Sequence, residues 1–232
     1  MKKPKINNRI KEKGDEKMRK KVLITGFDPF DKETVNPSWE AAKQLNGFET
    51  DEAIITAEQI PTVFKTALDT LRQAIQKHQP DIVICVGQAG GRMQVTPERV
   101  AINLADARIT DNEGHQPIDE EISPGGPAAY WTGLPVKRMT EKMKENGIPA
   151  AVSYTAGTFV CNYLFYGLMD HISRTSPHIR GGFIHIPFIP EQTIDKTALS
   201  LSLDTIVRAL RIAAVTAAQY EEDVKSPGGT LH

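Results

Sequence analysis

The chain has 232 residues, 40% of them apolar and 25% charged, with a formal net charge of −1. That balance is an ordinary globular one, enough for one medium domain with its own core, and it argues against a body built for nucleic acid or acidic lipid. Two cysteines cannot build a disulfide framework.

The first segment carries most of the charge asymmetry. Residues 1–21 hold ten Lys or Arg against three Asp or Glu, a net of +7, which leaves −8 for the rest. A basic arm for RNA is one reading. A solvated, disordered extension over residues 1–17 is the other, and the lack of apolar periodicity favours it. No apolar run follows the charges, so the segment does not read as a signal peptide, and a reducing cytoplasm is the expected location. Residues 18–232 are then expected to form a single catalytic domain, with neither nucleic acid nor membrane as a partner.

KVLITG, 21–26, predicts a short buried strand closed by a glycine. PSWEAAKQL, 37–45, predicts a helix with Pro37 in its first turn and Gly47 past its end. AIITAEQI, 53–60, predicts a second strand, and Phe64, Leu68, Leu71 and Ile75 mark one face of an amphipathic helix led in by Pro61. DIVICVG, 81–87, is apolar throughout, as buried parallel strands are. Between 96 and 119, RVAINL and ARI predict short strands and DNEGHQP a turn, a small β excursion. A helix from about 135 to 146 ends at Gly147. AAVSYT predicts a fourth central strand, CNYLFYGLMDHI a helix, GFIHIPF a fifth strand, and residues 195–220 a long helix. Strands alternating with helices imply an α/β/α sandwich around a largely parallel, mixed twisted sheet.

Sites in such sheets gather at the carboxyl ends of the strands. In TAGTFVCNYLFYG a strand, a turn at Gly157 and a helix start bring Cys161 into a first helical turn, where unpaired N–H groups and the helix dipole favour a thiolate. That arrangement suits nucleophilic acyl transfer; a buried structural cysteine fits the residues too. Cys85, in mid-strand, reads as inert core. His185, near the end of the apolar strand in GGFIHIPF, is either a base at the same sheet edge or a hydrogen-bonded core residue. GQAGGR, 87–92, offers a backbone nest for an anion or a plain tight turn, and matches neither common nucleotide-binding glycine pattern. Glu98 can orient a histidine or sit on the surface. Phe27, Phe30 and Phe159 border the same edge, as pocket walls or as core. No His, Cys, Asp or Glu spacing suggests a metal site.

Several segments in this order resemble the pyroglutamyl peptidase I family: LITGFDPF at 23–30, NPSWE at 36–40, PERVAIN at 97–103, DNEGHQPID at 111–119, SYTAGTFVCNYLFY at 153–166 and FIHIPFIPEQ at 183–192. The resemblance runs from about Lys20 to the C-terminus. It implies a phosphorylase/hydrolase-like fold and a Cys–His–Glu triad of Cys161, His185 and Glu98. It further implies a pyroglutamyl pocket lined by Phe27 and Phe30 with Gln88 and Phe159 nearby, and Arg108 placed near the oxyanion. Asp111 is the competing acid. The implied activity is removal of an N-terminal pyroglutamyl residue from peptides through a thioester, without a cofactor, by a tetramer or dimer. The rival readings are an amidase or glutaminase-like hydrolase using the same dyad, a non-catalytic small-molecule binder using GQAGGR, and an RNA-associated factor led by the basic tail.

Overall fold

The computed structural model describes residues 18–229; the proposed extension over 1–17 lies outside them. Five strands form one sheet in the order β2-β1-β3-β7-β4: β2 is Ala53–Ile60, β1 Lys20–Phe27, β3 Ile82–Gln88, β7 Arg180–Ile186 and β4 Thr96–Pro97. All pairs are parallel except β4 with β7, which is antiparallel.

The pleat sorts the strand residues between two cores. Val22, Ile24, Ile82, Ile84, Ile184 and Ile186 face one layer, made by α1 (Pro37–Gln44), α3 (Val136–Glu145) and α5 (Leu203–Gln219). Leu23, Phe27, Val83, Cys85 and Phe183 face the other, made by α2 (Phe64–His78) and α4 (Val160–Thr175). Burial on both faces explains why these strands read as continuous apolar runs. Beside the α4 layer, β5 (Val100–Ile102) and β6 (Ala129–Trp131) form a separate antiparallel pair, the excursion expected from the sequence, with β6 unforeseen.

Helix ends are fixed by named side chains. Asn36 caps α1, accepting from the Ser38 N–H, and Ser38 Oγ in turn accepts from the Phe27 N–H at 2.9 Å, locking the end of β1 onto the start of α1. Only a glycine permits that approach, because a Cβ on Gly26 would lie 2.4 Å from the Trp39 nitrogen. The first turn of α3 has no local cap, and Asp223, far along the chain, accepts from the N–H groups of Lys137 and Arg138 at 3.0 and 2.9 Å.

Three expectations need correction. AAVSYT is not a central strand: it lies outside β4 at the sheet edge, held by isolated bridges Val95–Ala150 and Glu98–Ser153, because its partner contains Pro97, which has no N–H to give. ARI is a bend rather than a strand, since the Asp106 and Ala107 N–H groups go to Thr158 and Pro117 instead of a neighbouring strand. The last helix starts at Leu203, where Ser202 caps it, not at 195; the preceding residues are drawn off into a turn that pairs the Leu201 N–H with the Phe188 carbonyl.

Removing the distant cap tests this account. Asp223→Ala should cost about 1–2 kcal/mol, as lost N-caps do, and lower the melting temperature by roughly 2–8 °C for a chain of this size. Calorimetry at constant pH measures it, and an unchanged melting temperature would show that α3 does not depend on this contact.

Candidate active site

The carboxyl ends of β1, β3 and β7 meet the first turn of α4, and the proposed residues are distributed among them. His185 points to the α4 side of β7, where its neighbour across the ladder is Gly87 of β3. Gly87 leaves the space that the cysteine occupies: a Cβ there would come within 2.8 Å of Cys161 Sγ and of the Phe183 ring. Cys161 sits second in α4, after the sharp turn at Gly157, whose φ is +76°. Asn162, fully buried beside it, anchors this helix start by accepting from the Ile102 N–H and donating to the carbonyls of Ile102 and Leu104.

Glu98 follows the two residues of β4, and its N–H donates to the Phe183 carbonyl of β7 at 2.9 Å. The antiparallel register turns its side chain towards His185, whose Nδ1 lies 2.7 Å from Glu98 Oε1. Both residues are buried, Glu98 completely. The bond at Nδ1 leaves Nε2 as the ring nitrogen free to exchange a proton. The Phe183 ring lies against the imidazole in a tilted arrangement, with centroids 4.8 Å apart and an interplanar angle of 53°.

Reading the sequence missed Arg92. It follows Gly91, whose φ of +87° shapes the turn after β3, and its guanidinium bonds Glu98 Oε1 at 2.7 Å, Thr96 Oγ1, and the Thr155 carbonyl at 2.9 Å. Arg92 therefore compensates the buried carboxylate and ties the GQAGGR turn to the loop that delivers Cys161. The local signal was an arginine closing a glycine turn six residues before a glutamate, which is indistinguishable in sequence from a surface residue.

Two cavities meet at Cys161. The smaller has walls from Phe27, Phe30 and Phe159; Asn36, Thr62 and Gln88 also border it, the surface it exposes is apolar, and its lining holds no charged residue. Phe30 and Phe159 lie 6.1 Å apart, centroid to centroid. The larger is an open cleft of about 300 Å³ that includes Gln88, Arg92, Thr155, Cys161 and His185. Arg108 lines neither; it is exposed on the bend that replaces the expected strand. Asp111 is buried away from His185. It accepts from the Phe64 N–H at the start of α2 and from the N–H groups of Glu113 and His115, so it closes a turn and caps a helix.

The electrostatics differ from the thiolate expected of a helix start. Burial pushes the Cys161 thiol up to about 12; the Glu98 carboxylate acts in the same direction and Arg92 opposes it. Burial likewise holds His185 below 6.5, against the pull of Glu98. A helix dipole contributes about 0.3–1 kcal/mol at an exposed end and opposes this shift, although Cys161 itself is half-buried beside the open cleft. Cys85, fully buried within the sheet, is also pushed to about 12 by burial, but touches neither cavity.

A family model described as pyroglutamyl peptidase matches residues 20–220. The chain is 94% identical over 215 residues to a pyrrolidone-carboxylate peptidase of Bacillus subtilis (strain 168), covering 93% of this chain and all of that one. The crystal structure of pyroglutamyl peptidase I from Bacillus amyloliquefaciens superposes with a TM-score of 0.90 at 72% identity, covering 90% of this chain and 100% of that one. A pyrrolidone carboxyl peptidase from Thermococcus litoralis superposes at 0.87 with 36% identity, covering 90% and 99%.

The contact at Gly87 gives a direct test. Gly87→Ala must displace Sγ or the Phe183 ring, and a misplacement of about 1 Å costs roughly 10²-fold in turnover. We expect kcat/KM to fall by about that factor with the circular dichroism spectrum preserved; unchanged kcat/KM would mean that the sulfur position does not matter.

Proposed function

The chain belongs to the pyroglutamyl peptidase family, and we propose that it removes an N-terminal pyroglutamyl residue from peptides with Cys161 as nucleophile, His185 as base and Glu98 as the group that orients the base. The observation that carries the assignment of residues is the 2.7 Å contact between His185 Nδ1 and Glu98 Oε1 in a cleft that also contains Cys161.

Burial raises the Cys161 thiol and lowers His185, which favours a step in which His185 Nε2 takes the proton as the sulfur attacks the scissile carbonyl. The imidazolium so formed is stabilised through Nδ1 by Glu98. The oxyanion falls to backbone N–H groups in the first turn of α4, which have no intrahelical partner. With Arg108 exposed outside both cavities, these backbone donors carry that role in the proposal. His185 returns its proton to the departing amine, then activates the water that cleaves the thioester.

Specificity rests on the neutral pocket. A pyroglutamyl ring has no ammonium group, and the walls of Phe27, Phe30 and Phe159 with Gln88 at the edge suit a flat lactam. A free N-terminal glutamine would bring a charge into that space at a cost of several kcal/mol, which also separates this reading from a glutaminase. We further propose that residues 18–232 act as one catalytic unit and work as a tetramer or dimer in the cytoplasm. Exposed Ile118, Trp131, Ile194 and Leu199 offer apolar surface to a second copy, and among the described residues no helix is long and apolar enough to cross a membrane.

The decisive assay is release of a chromophoric amine from a pyroglutamyl conjugate. Cys161→Ala should abolish it, and iodoacetamide should abolish it in the unmodified enzyme, while Cys85→Ser keeps most of the activity. Equal inactivation by both substitutions, with the fold intact, would refute the assignment.

The pH dependence supplies a signed test. His185 works in its neutral form, and its pKa lies below 6.5, so kcat/KM should hold above that pH and fall only below it. Glu98 raises the His185 pKa and Arg92 lowers it. Glu98→Gln should therefore move the acid limb to lower pH and Arg92→Gln to higher pH. Shifts in the same direction would show that these residues do not act on His185 electrostatically.

A further inference from the structure

One buried amide network lies outside the chemistry described above and ends at the pocket. The chain leaving β7 turns through a 3₁₀ segment, Pro190–Gln192, that buries Gln192. The Ile189 N–H donates to Gln192 Oε1 at 3.2 Å. A backbone N–H can only donate, so that contact fixes which end of the amide is oxygen. Gln192 Nε2 then faces the opposite way, where it meets two acceptors: Glu33 Oε2 at 3.2 Å and Gln88 Oε1 at 2.9 Å. Glu33 is held in turn by Lys196. The reverse orientation of Gln192 would set an amide NH₂ against the N–H of Ile189 and a carbonyl against the carboxylate of Glu33, so it is doubly disfavoured.

The consequence passes to Gln88, which lines both cavities. Its oxygen is committed to Gln192, and its NH₂ makes no hydrogen bond to the described residues. We propose that Gln192 is a positioning residue that fixes the polarity of Gln88, so that an N–H donor rather than a carbonyl stands where the ring pocket opens into the cleft, to meet the lactam carbonyl of the substrate. This rests on the pyroglutamyl reading above and adds to it the feature that sets a lactam apart from a plain ring: a cyclopentyl or prolyl ring of the same size has no oxygen to accept that bond. The same Gln192 amide reaches, through Glu33, the loop that carries Phe30, so the apolar wall and the polar point of the pocket share one support.

The test inverts the amide chain. Gln192→Glu keeps an acceptor for the Ile189 N–H but presents a second acceptor to Gln88, which must then turn its NH₂ away from the pocket and show its carbonyl instead. Combining it with Glu33→Gln avoids two adjacent carboxylates, and Glu33→Gln alone is the reference. Two quantities are measured: KM for the pyroglutamyl conjugate, and the inhibition constant of cyclopentanecarboxamide, which fills the ring space without a lactam. Loss of one hydrogen bond predicts a rise in KM of about tenfold, with kcat held within about twofold and the inhibition constant unchanged. Gln192→Met, which frees Gln88 without reversing it, should give the same pattern to a smaller extent and serves if the paired variant does not fold. A parallel rise in KM and in the inhibition constant marks a merely structural role and overturns the proposal, as does an unchanged KM. An unmodified enzyme inert towards the conjugate overturns the functional reading itself, whereas turnover by that enzyme with no response to Gln192 overturns only the polarity assignment.

Discussion

A fully buried carboxylate governs the architecture of this site. An unpaired ion in the interior costs several kcal/mol even after relaxation, so Glu98 can exist where it does only with partners, and it has two on one oxygen: His185 and Arg92. Each partner imposes a piece of fold. The histidine requires β4 to run antiparallel to β7, so that the residue after Pro97 stands beside the ring. The arginine requires the glycine turn after β3, and its remaining bonds to Thr96 and the Thr155 carbonyl draw the edge of the sheet and the cysteine loop together. The second oxygen, Oε2, is buried and makes no hydrogen bond to the described residues. Both partners of the carboxylate thus meet it at the same oxygen.

The surroundings of the cysteine act on it with different signs: burial and the Glu98 carboxylate raise the Cys161 thiol, and the Arg92 guanidinium lowers it. A neutral thiol is less open to stray electrophiles than a thiolate. In the proposed mechanism the proton moves when a carbonyl is present to receive the sulfur's electrons, and Glu98 stabilises the imidazolium during that interval.

Much of this was legible in the sequence, for identifiable reasons. Strands buried on both faces leave continuous apolar runs, so β1, β2 and β3 could be placed to within a residue or two, and the Phe64–Leu68–Leu71–Ile75 spacing marked the inner face of α2. The strand–turn–helix pattern put Cys161 at a helix start, and the apolar run around His185 put it near a strand end. What sequence could not show depends on long-range partners. Nothing local distinguishes the edge segment 150–155 from a central strand, because the difference lies in Pro97, more than fifty residues earlier. Arg92 and Gln192 look like surface residues and Asp111 like a competing acid until the chain folds, since what engages them is, respectively, a carboxylate, an amide oxygen and a helix start brought in from elsewhere. Resemblance to a family supplied Glu98 and the pocket phenylalanines, while the orientation of Gln88 is available only from geometry.

The position of β7 has a consequence for how the molecule is made. It is the last strand in the chain, yet it stands between β3 and β4, contributes the histidine, and is the sheet partner of the strand that leads into Glu98. On a ribosome, β3 must wait through some ninety further residues with an open hydrogen-bonding edge, the kind of edge that recruits other chains. The carboxylate and its arginine emerge together, but the imidazole follows 87 residues after Glu98. The proposed triad and the middle of the sheet are therefore both incomplete until β7 has been made, because the same strand supplies His185 and fills the place between β3 and β4.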